Sequence, residues 1–206
     1  MGKEDQIIAA IRRKVLFADG DFQGFLAAHE KDYVQVLREG LEFMRRGDIE
    51  ERPEIQQPVP YVWIVNPTTK EIFAYKRAGK QGYSEARLRD KWSCGIGGHV
   101  EKSDEADPIV GAMMRELMEE VKMTSYPRPK IVGYINDDST PVNSVHFGVV
   151  AIAETILPVE KGDDEMAECK SMSVGELEKL FEDPRVDVEP WTRISWPFVK
   201  KYIESL

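Results

Sequence analysis

Three glutamates near the middle of the chain, Glu116, Glu119 and Glu120, have the i, i+3, i+4 spacing within "MMRELMEEVKM". In a helix this spacing puts the side chains on one face, within an arc of about 100°. Like charges so placed repel by roughly a few tenths of a kcal/mol per pair, and Arg115 can pair with only one of them. Carboxylate oxygens are ligands for Mg²⁺ and Mn²⁺, which also take substrate phosphate oxygens and water. The spacing therefore predicts either a divalent metal site or an ordinary solvated acidic face.

The helix that carries these glutamates is predicted to be amphipathic, with its apolar residues on a different arc from the carboxylates. These apolar residues are Val110, Met114, Leu117 and Val121. Asp107 and Pro108 have the residue types of an N-cap and a first helical position, so we expect the helix to begin there. Upstream, Gly97 and Gly98 allow a close backbone approach where a Cβ atom would clash. The predicted unit is a strand, a glycine loop and a helix with the acids at its far end.

This pattern resembles the signature of the Nudix hydrolase family, G-x5-E-x7-R-E-U-x-E-E-x-G-U, in which U is an aliphatic residue. The segment "RELMEEVKM", residues 115–123, matches the second half, and "GGHVEKSD", residues 97–104, matches the opening. The resemblance extends over about residues 58–206. It implies an α/β (α+β) fold, with a Nudix-type mixed sheet sandwiched between helices.

The chain departs from the family signature at two places. Lys122 stands where the family has a glycine after the helix, so it must adopt a left-handed conformation, at a cost of about 1 kcal/mol, or the helix must end differently. The distance from Asp104 to Arg115 is three residues longer than in the signature. The first glutamate of the signature is therefore represented by Asp104, by Glu105 or by neither.

The resemblance implies roles for particular residues. Glu116, Glu119 and Glu120 would bind Mg²⁺, with Mn²⁺ as a second candidate, and Arg115 would hold a carboxylate in orientation. Gly98 would offer a backbone group close to the metal or phosphate. The general base would be a helix glutamate or an acid from a later loop that contains Asp164, Glu165 and Glu168, of which we favour Glu165 or Glu168.

A basic segment lies between Lys76 and Lys91 in an otherwise acidic chain, which has a net charge of -9. A solvated charged loop and a phosphate contact explain this segment equally well. In the second case, Arg77 and Arg87 are the expected phosphate ligands. Arginine and lysine suit this role because their hydrogen bonds to phosphate are charge-assisted.

Residues 1–57 are predicted to be an N-terminal helical extension, and residues 58–206 the Nudix hydrolase domain. In the extension, "KDYVQVLREGLEFMRR", residues 31–46, has apolar residues at helical spacing, which predicts one helix that ends at Gly47 and Asp48. Beyond the extension, "VPYVWIVN" and "IFAYKR" flank a turn and predict a hairpin. The C-terminal helix is expected to be interrupted early by Pro197.

Composition limits the remaining possibilities. The net charge of -9 argues against a nucleic-acid polymer as the partner. No apolar segment approaches the roughly 18 residues that span a bilayer, and Cys94 and Cys169 make no disulfide framework, so we expect a cytoplasmic protein that does not associate with membranes. His99 and His146 are expected to be packed or hydrogen-bonded rather than metal ligands. The apolar N-terminal helix makes a homodimer a reasonable expectation.

Three functions are consistent with these features. The first is Mg²⁺-dependent hydrolysis of a nucleoside diphosphate linked to another moiety, with a small-molecule diphosphate as substrate. The second is a regulatory module of the same fold that binds a nucleotide without cleaving it. The third is isomerisation of a prenyl diphosphate, for which the sequence offers no compelling cysteine and glutamate arrangement.

Overall fold

The computed structural model describes residues 2–79, 89–104, 107–162 and 165–206. Within these ranges, twelve strands and five α-helices form a mixed α/β fold with one large mixed sheet, which confirms the predicted fold class. The strands are β1 (Ile7–Arg12), β2 (Gly24–Ala27), β3 (Glu42–Arg45), β4 (Ile55–Val65), β5 (Ile72–Arg77), β6 (Trp92–Ser93), β7 (Gly95–Ile96), β8 (Val121–Lys122), β9 (Lys130–Asn136), β10 (His146–Glu154), β11 (Glu160–Lys161) and β12 (Met166–Met172). The helices are α1 (Arg13–Leu16), α2 (Tyr33–Gly40), α3 (Pro108–Glu120), α4 (Val174–Glu182) and α5 (Pro190–Ser205).

None of the helices in the described ranges combines the length and the apolar character that crossing a bilayer requires.

The chain divides into two compact units. The first unit comprises Met1–Tyr61, Gly97–Arg115 and Ile131–Ala151. In it β2 pairs with β9, and β1 pairs with β3 and with the start of β4, all antiparallel. An aromatic cluster that includes Phe17 and Phe147 adds edge-to-face contacts, with these two ring centroids 5.8 Å apart. The N-terminal segment thus shares a core with residues from the middle of the chain.

The N-terminal segment is mixed in structure rather than purely helical. The helix predicted over residues 31–46 ends at Gly40, and Glu42–Arg45 form β3, which pairs with β1. A Cβ atom on Gly40 would lie 2.8 Å from Cδ1 of Ile11, so the end of the helix packs closely on a side chain of β1. Since β4 begins at Ile55, the expected boundary after residue 57 falls inside a strand, and that boundary stays a prediction.

The second unit comprises Val62–Ile96, Glu116–Lys130 and Ile152–Leu206. Its strand order is β12–β5–β4, and the Val65 and Ile72 pair confirms the predicted hairpin. Helix α4 begins with a capping box between Ser173 and Glu176, which satisfies two backbone donors. Helix α5 continues through Pro197 without the expected interruption, because its buried face includes residues on both sides of the proline, from Thr192 to Ile203.

Candidate active site

The three glutamates of α3 differ in their exposure. Glu116 is 8% exposed, Glu120 is half-buried and Glu119 is exposed. The difference arises because the buried face of the helix is rotated from the predicted one and runs along Ile109, Ala112, Met113, Leu117 and Val121. Glu116 lies within this face, and Glu119 lies away from it. The helix therefore presents its carboxylates at graded depths rather than on one solvated surface.

Hard carboxylate oxygens are the donor set that Mg²⁺ or Mn²⁺ prefers, so the chemistry of these three residues fits such an ion. Across the part of the chain that the structure describes, no three His, Cys, Asp or Glu side chains converge as a metal-binding group. The carboxylates share a helix without being drawn together. The assignment of Glu116, Glu119 and Glu120 as metal ligands stays a prediction.

The C-terminal end of α3 is held by Gly162, a residue that no local sequence motif indicates. The backbone N–H of Gly162 donates to the carbonyl oxygen of Glu120 at 2.8 Å. A Cβ atom on Gly162 would lie 2.7 Å from the carbonyl carbon of Glu120 and 2.8 Å from the carbonyl oxygen of Glu119. This approach is closer than real Cβ atoms tolerate, so the position requires glycine.

Lys122 does not adopt the left-handed conformation, because the helix ends differently. The helix ends at Glu120, and Val121 and Lys122 form β8, which pairs with β11 at Glu160 and Lys161. The extended strand replaces the left-handed turn that a glycine would favour. Lysine can therefore replace the glycine of the signature without backbone strain, because Lys122 has an extended conformation.

In the first unit, Arg115 forms an ion pair with Asp104. Arg115 Nε lies 2.9 Å from Asp104 Oδ1, and the side chain of Asp104 is 2% exposed. Arg115 Nη2 also donates to the carbonyl oxygen of His99 at 2.8 Å, and Asp104 Oδ2 accepts from the N–H of Glu101 at 2.7 Å. Arg115 therefore fastens the glycine loop to α3. Asp104 is the acid that pairs with the signature arginine, whereas Glu105 lies outside the described residues.

The first glycine of the loop is required by packing. A Cβ atom on Gly97 would lie 1.7 Å from the carbonyl oxygen of Pro60, in β4. Gly98 is half-buried, and its expected backbone contact to a metal or phosphate stays a prediction. This turn needs glycine, as its residue types predict, and the requirement lies at Gly97.

Of the two arginines expected to contact phosphate, Arg77 is placed inside the second unit. It is 7% exposed, and its Nε donates to Oε1 of Glu189, the N-cap residue of α5. The other carboxylate oxygen of Glu189 accepts from the Ser93 hydroxyl at 2.8 Å. This geometry assigns Arg77 a role in positioning α5, and its phosphate contact stays a prediction. Arg87 lies outside the described residues.

The candidate general bases differ in their surroundings. Glu165 is exposed, and its carbonyl oxygen accepts from the N–H of Ala78 at 2.8 Å. Glu168 is not in a loop as expected but in β12, where its carboxylate lies 3.5 Å from Lys170 Nζ. Asp164 lies outside the described residues. Glu165 is three residues after Gly162, which bonds to the C-terminal end of α3, and Glu168 is six residues after it.

Comparisons of the sequence with known proteins cover the segments described above. Residues 56–192 match the model of the NUDIX domain. Protein YmaB of Bacillus subtilis (strain 168) is 32% identical over 206 aligned positions, which cover 94% of this chain and 97% of that protein.

Solved structures show the same fold. Tm1382, provisionally described as a Nudix hydrolase, superposes with a TM-score of 0.77 at 25% identity, covering 96% of this chain and 100% of that one. A bifunctional NMN adenylyltransferase/ADP-ribose pyrophosphatase from Francisella tularensis, complexed with AMP and a Mn ion, has a TM-score of 0.52 at 13% identity. That match covers 72% of this chain and 42% of the other, and it shows the fold alone.

Proposed function

Because the chain belongs to the Nudix family and is a pyrophosphohydrolase of the Nudix type, we propose that it hydrolyses a nucleoside diphosphate linked to another moiety and that it uses Mg²⁺. Mn²⁺ is the second candidate ion. The observation that carries the proposal is the arrangement of Glu116, Glu119 and Glu120 in the last turns of α3, in the register of the family signature. A cytoplasmic location and a homodimer remain predictions.

The residues that would hold the ion are Glu116, Glu119 and Glu120. Bound there, Mg²⁺ supplies charge neutralisation for the diphosphate and a more acidic water for attack at phosphorus. This also explains how a chain with a net charge of -9 accepts an anionic substrate. Glu119 is exposed and Glu120 is half-buried, which would suit an ion that keeps several of its water ligands.

Arg115 acts as a positioning residue rather than a catalytic one. Its guanidinium is engaged by Asp104 and by the His99 carbonyl, so it fixes the loop that precedes the helix. Only a rigidly held loop presents the backbone of Gly98 in one orientation, and placement errors of about 1 Å cost up to roughly 100-fold in rate. The contact of Gly98 with substrate or metal, which the family signature implies, remains a prediction.

Glu165 is the residue we propose as the general base, with Glu168 as the alternative. The hydrogen bond from Gly162 to Glu120 places a residue three positions before Glu165 against the end of the glutamate helix. Glu165 is exposed and lies three residues after Gly162 in the chain, whereas the carboxylate of Glu168 lies on strand β12, 3.5 Å from Lys170 Nζ. A base must come within hydrogen-bonding distance of the proton it takes, and we favour Glu165 because it follows Gly162 closely in the chain.

A substrate panel tests the proposal. Nucleotide sugars, dinucleotides, nucleoside triphosphates and a prenyl diphosphate would each be incubated with the protein and Mg²⁺, Mn²⁺ or a chelator. Phosphorus NMR in ¹⁸O-labelled water would then identify the bond cleaved and the phosphorus atom attacked. We expect cleavage of the diphosphate bond, with the label in one phosphate product and no turnover in chelator.

Two other results would point elsewhere. A melting-temperature shift by a nucleotide without any product would favour a regulatory module. A rearranged prenyl diphosphate without incorporation of ¹⁸O would favour an isomerase. Either result, obtained across the whole panel, would overturn the proposed hydrolysis.

A further inference from the structure

Strand β3 leaves one edge of the first unit without a neighbouring strand. Within the residues that the structure describes, β3 pairs only with β1. The other side of β1 is occupied, because the N–H of Ala9 donates to the carbonyl oxygen of Val100 at 2.8 Å. An edge strand offers a row of backbone donors and acceptors with which another chain can pair.

The hydrogen bonds between β1 and β3 show which groups of β3 face outward. The N–H of Arg46 donates to the carbonyl oxygen of Gln6 at 2.9 Å, and hydrogen-bonded pairs in an antiparallel ladder recur at every second residue. Met44 therefore directs its backbone groups to β1. Phe43 and Arg45 direct their N–H and C=O groups away from β1, to the free edge.

Apolar side chains are exposed beside this edge. Phe43 is 39% exposed and Ile7 of β1 is 44% exposed, and the register places both on the same face of the strand pair. Val15 is exposed as well and lies near Gly40, since a Cβ atom on Gly40 would be 3.3 Å from its Cγ1 atom. Clustered exposed apolar residues of this kind mark sites of association.

A two-fold axis restricts how β3 can pair with a second β3. In an antiparallel pair with this symmetry, one residue must lie opposite the same residue of the other copy. With Phe43 at the centre, Leu41 would have to bond to the second copy, but its N–H already donates to the carbonyl oxygen of Leu37. With Arg45 at the centre, two like charges would lie opposite each other, which is destabilising. Met44 at the centre avoids both problems.

We propose that β3 pairs with β3 of a second copy of this chain, antiparallel and with Met44 opposite Met44. Four backbone hydrogen bonds then form, because Phe43 of each copy exchanges N–H and C=O groups with Arg45 of the other. The Arg45 guanidinium also lies opposite the Phe43 ring, which pairs a cation with an aromatic side chain. Asp5 helps to orient this guanidinium, since its Oδ1 atom is 2.7 Å from Arg45 Nη2.

Charge and symmetry favour a second copy of this chain as the occupant. Glu42 lies opposite Arg46 of the second copy, so opposite charges meet at both ends of the pairing. The two-fold axis closes the assembly, because each copy covers the edge of the other. The homodimer expected from the apolar helix thus uses β3 instead, since Tyr33 and Leu37 of α2 are buried within one copy.

Sedimentation velocity of the full chain tests the association. Because small interfaces are weak, we expect a dimer fraction that increases between about 1 and 500 μM protein. Phe43→Lys puts a like charge opposite Arg45 of the second copy and should raise the dissociation constant at least about tenfold. Phe198→Lys is the matched control, because Phe198 of α5 is 38% exposed, and it should dimerise like the wild type.

Two results of this experiment would overturn the proposal. One is a wild-type chain that stays monomeric over the whole concentration range. The other is an equal dissociation constant for Phe43→Lys and Phe198→Lys. Both phenylalanines are exposed, so the folding of either variant does not depend on a buried contact. Glu120→Gln should dimerise like the wild type, because the association does not depend on the proposed hydrolysis.

A disulfide cross-link tests the register. In a Cys169→Ser background, Met44→Cys would have its two Cα atoms about 4.5 Å apart, as in any pair without hydrogen bonds. This separation lies within the range of about 4.4–6.8 Å that a disulfide spans, so oxidation should link the dimer. Glu42→Cys is the control, because its two copies would be about 13 Å apart along the strands and should stay unlinked. Equal linking of the two variants would contradict the register.

Discussion

Arg115 and Asp104 form an ion pair in which Nε and Oδ1 are 2.9 Å apart and the carboxylate is 2% exposed. Arg115 is the first residue of the helical half of the signature. The pair joins it to the loop that is three residues longer than in the signature. Because Asp104 also accepts from the backbone of Glu101, it closes the loop on itself. The longer loop therefore keeps an acid in contact with the signature arginine.

Replacing Asp104 by asparagine should lower the free energy of unfolding by about 2–3 kcal/mol, because Arg115 loses a nearly buried partner. Chemical denaturation measures this value. Asp48→Asn is the control, since Asp48 pairs with Arg45 at the surface, where its side chain is 65% exposed, and it should change stability by less than about 0.5 kcal/mol. Equal effects of the two substitutions would contradict the fastening role of Asp104.

Gly162→Ala should impair catalysis by pushing the end of α3 away. Its new Cβ atom would lie 2.7 Å from the carbonyl carbon of Glu120, which is backbone and cannot rotate aside. We expect kcat to fall by roughly tenfold or more and the Mg²⁺ concentration for half-maximal activity to rise. Gly175→Ala on α4 meets no atom within 4 Å and is the matched control. Identical kinetics in both variants would refute the role of Gly162.

Arg77→Met should reduce the free energy of unfolding by about 3 kcal/mol, because Glu189, which is 4% exposed, would lose the positive charge of its Arg77 partner. Arg185→Met removes an arginine whose side chain is 87% exposed and should change little. A phosphate contact at Arg77 makes a different prediction, namely a raised KM in Arg77→Lys with unaltered stability. Denaturation and kinetics on the same variants separate the two roles.

Stability should fall as the pH drops below about 6.5, the ordinary pKa of histidine. Burial lowers the pKa of His99 in the folded protein, so the unfolded chain binds a proton that the folded chain does not. The loss approaches about 1.4 kcal/mol per pH unit from this group. Denaturation between about pH 5.5 and 7.5 in chelator measures the slope. His99→Gln should flatten it and His29→Gln should leave it unchanged; a slope retained in His99→Gln would refute the assignment.

The sequence identified the helix and its glutamates because both depend on local spacing. Glu116, Glu119 and Glu120 lie on α3 as periodicity predicts, and Asp107 and Pro108 stand at its start. Their graded exposure was not predictable, because it depends on which face of the helix is buried by residues distant in the chain. The rotated stripe through Ala112 and Met113 shows the difference.

Contacts between segments that are distant in the chain could not be predicted from local sequence patterns. Nothing near Gly162 in the sequence indicates that it packs on Glu120, and Arg77 gives no sign of its partner 112 residues away at Glu189. The strand at Glu42–Arg45 was predicted as helix because Met44 continues the helical spacing of the preceding apolar residues, but pairing with β1 makes this segment a strand. Lys122 was correctly recognised as a departure, with both of its outcomes left open.

The central claim is that the glutamates of α3 support metal-dependent cleavage of a diphosphate bond. The most direct measurement is kcat/KM for the best panel substrate as a function of Mg²⁺ concentration, in the wild type, in Glu120→Gln and in Glu204→Gln, an exposed glutamate of α5. We predict turnover that requires Mg²⁺, a loss of about 100-fold in Glu120→Gln, which corresponds to about 2.7 kcal/mol of transition-state stabilisation, and wild-type behaviour in Glu204→Gln. Turnover that persists without metal, or that is equal in all three proteins, would contradict the account.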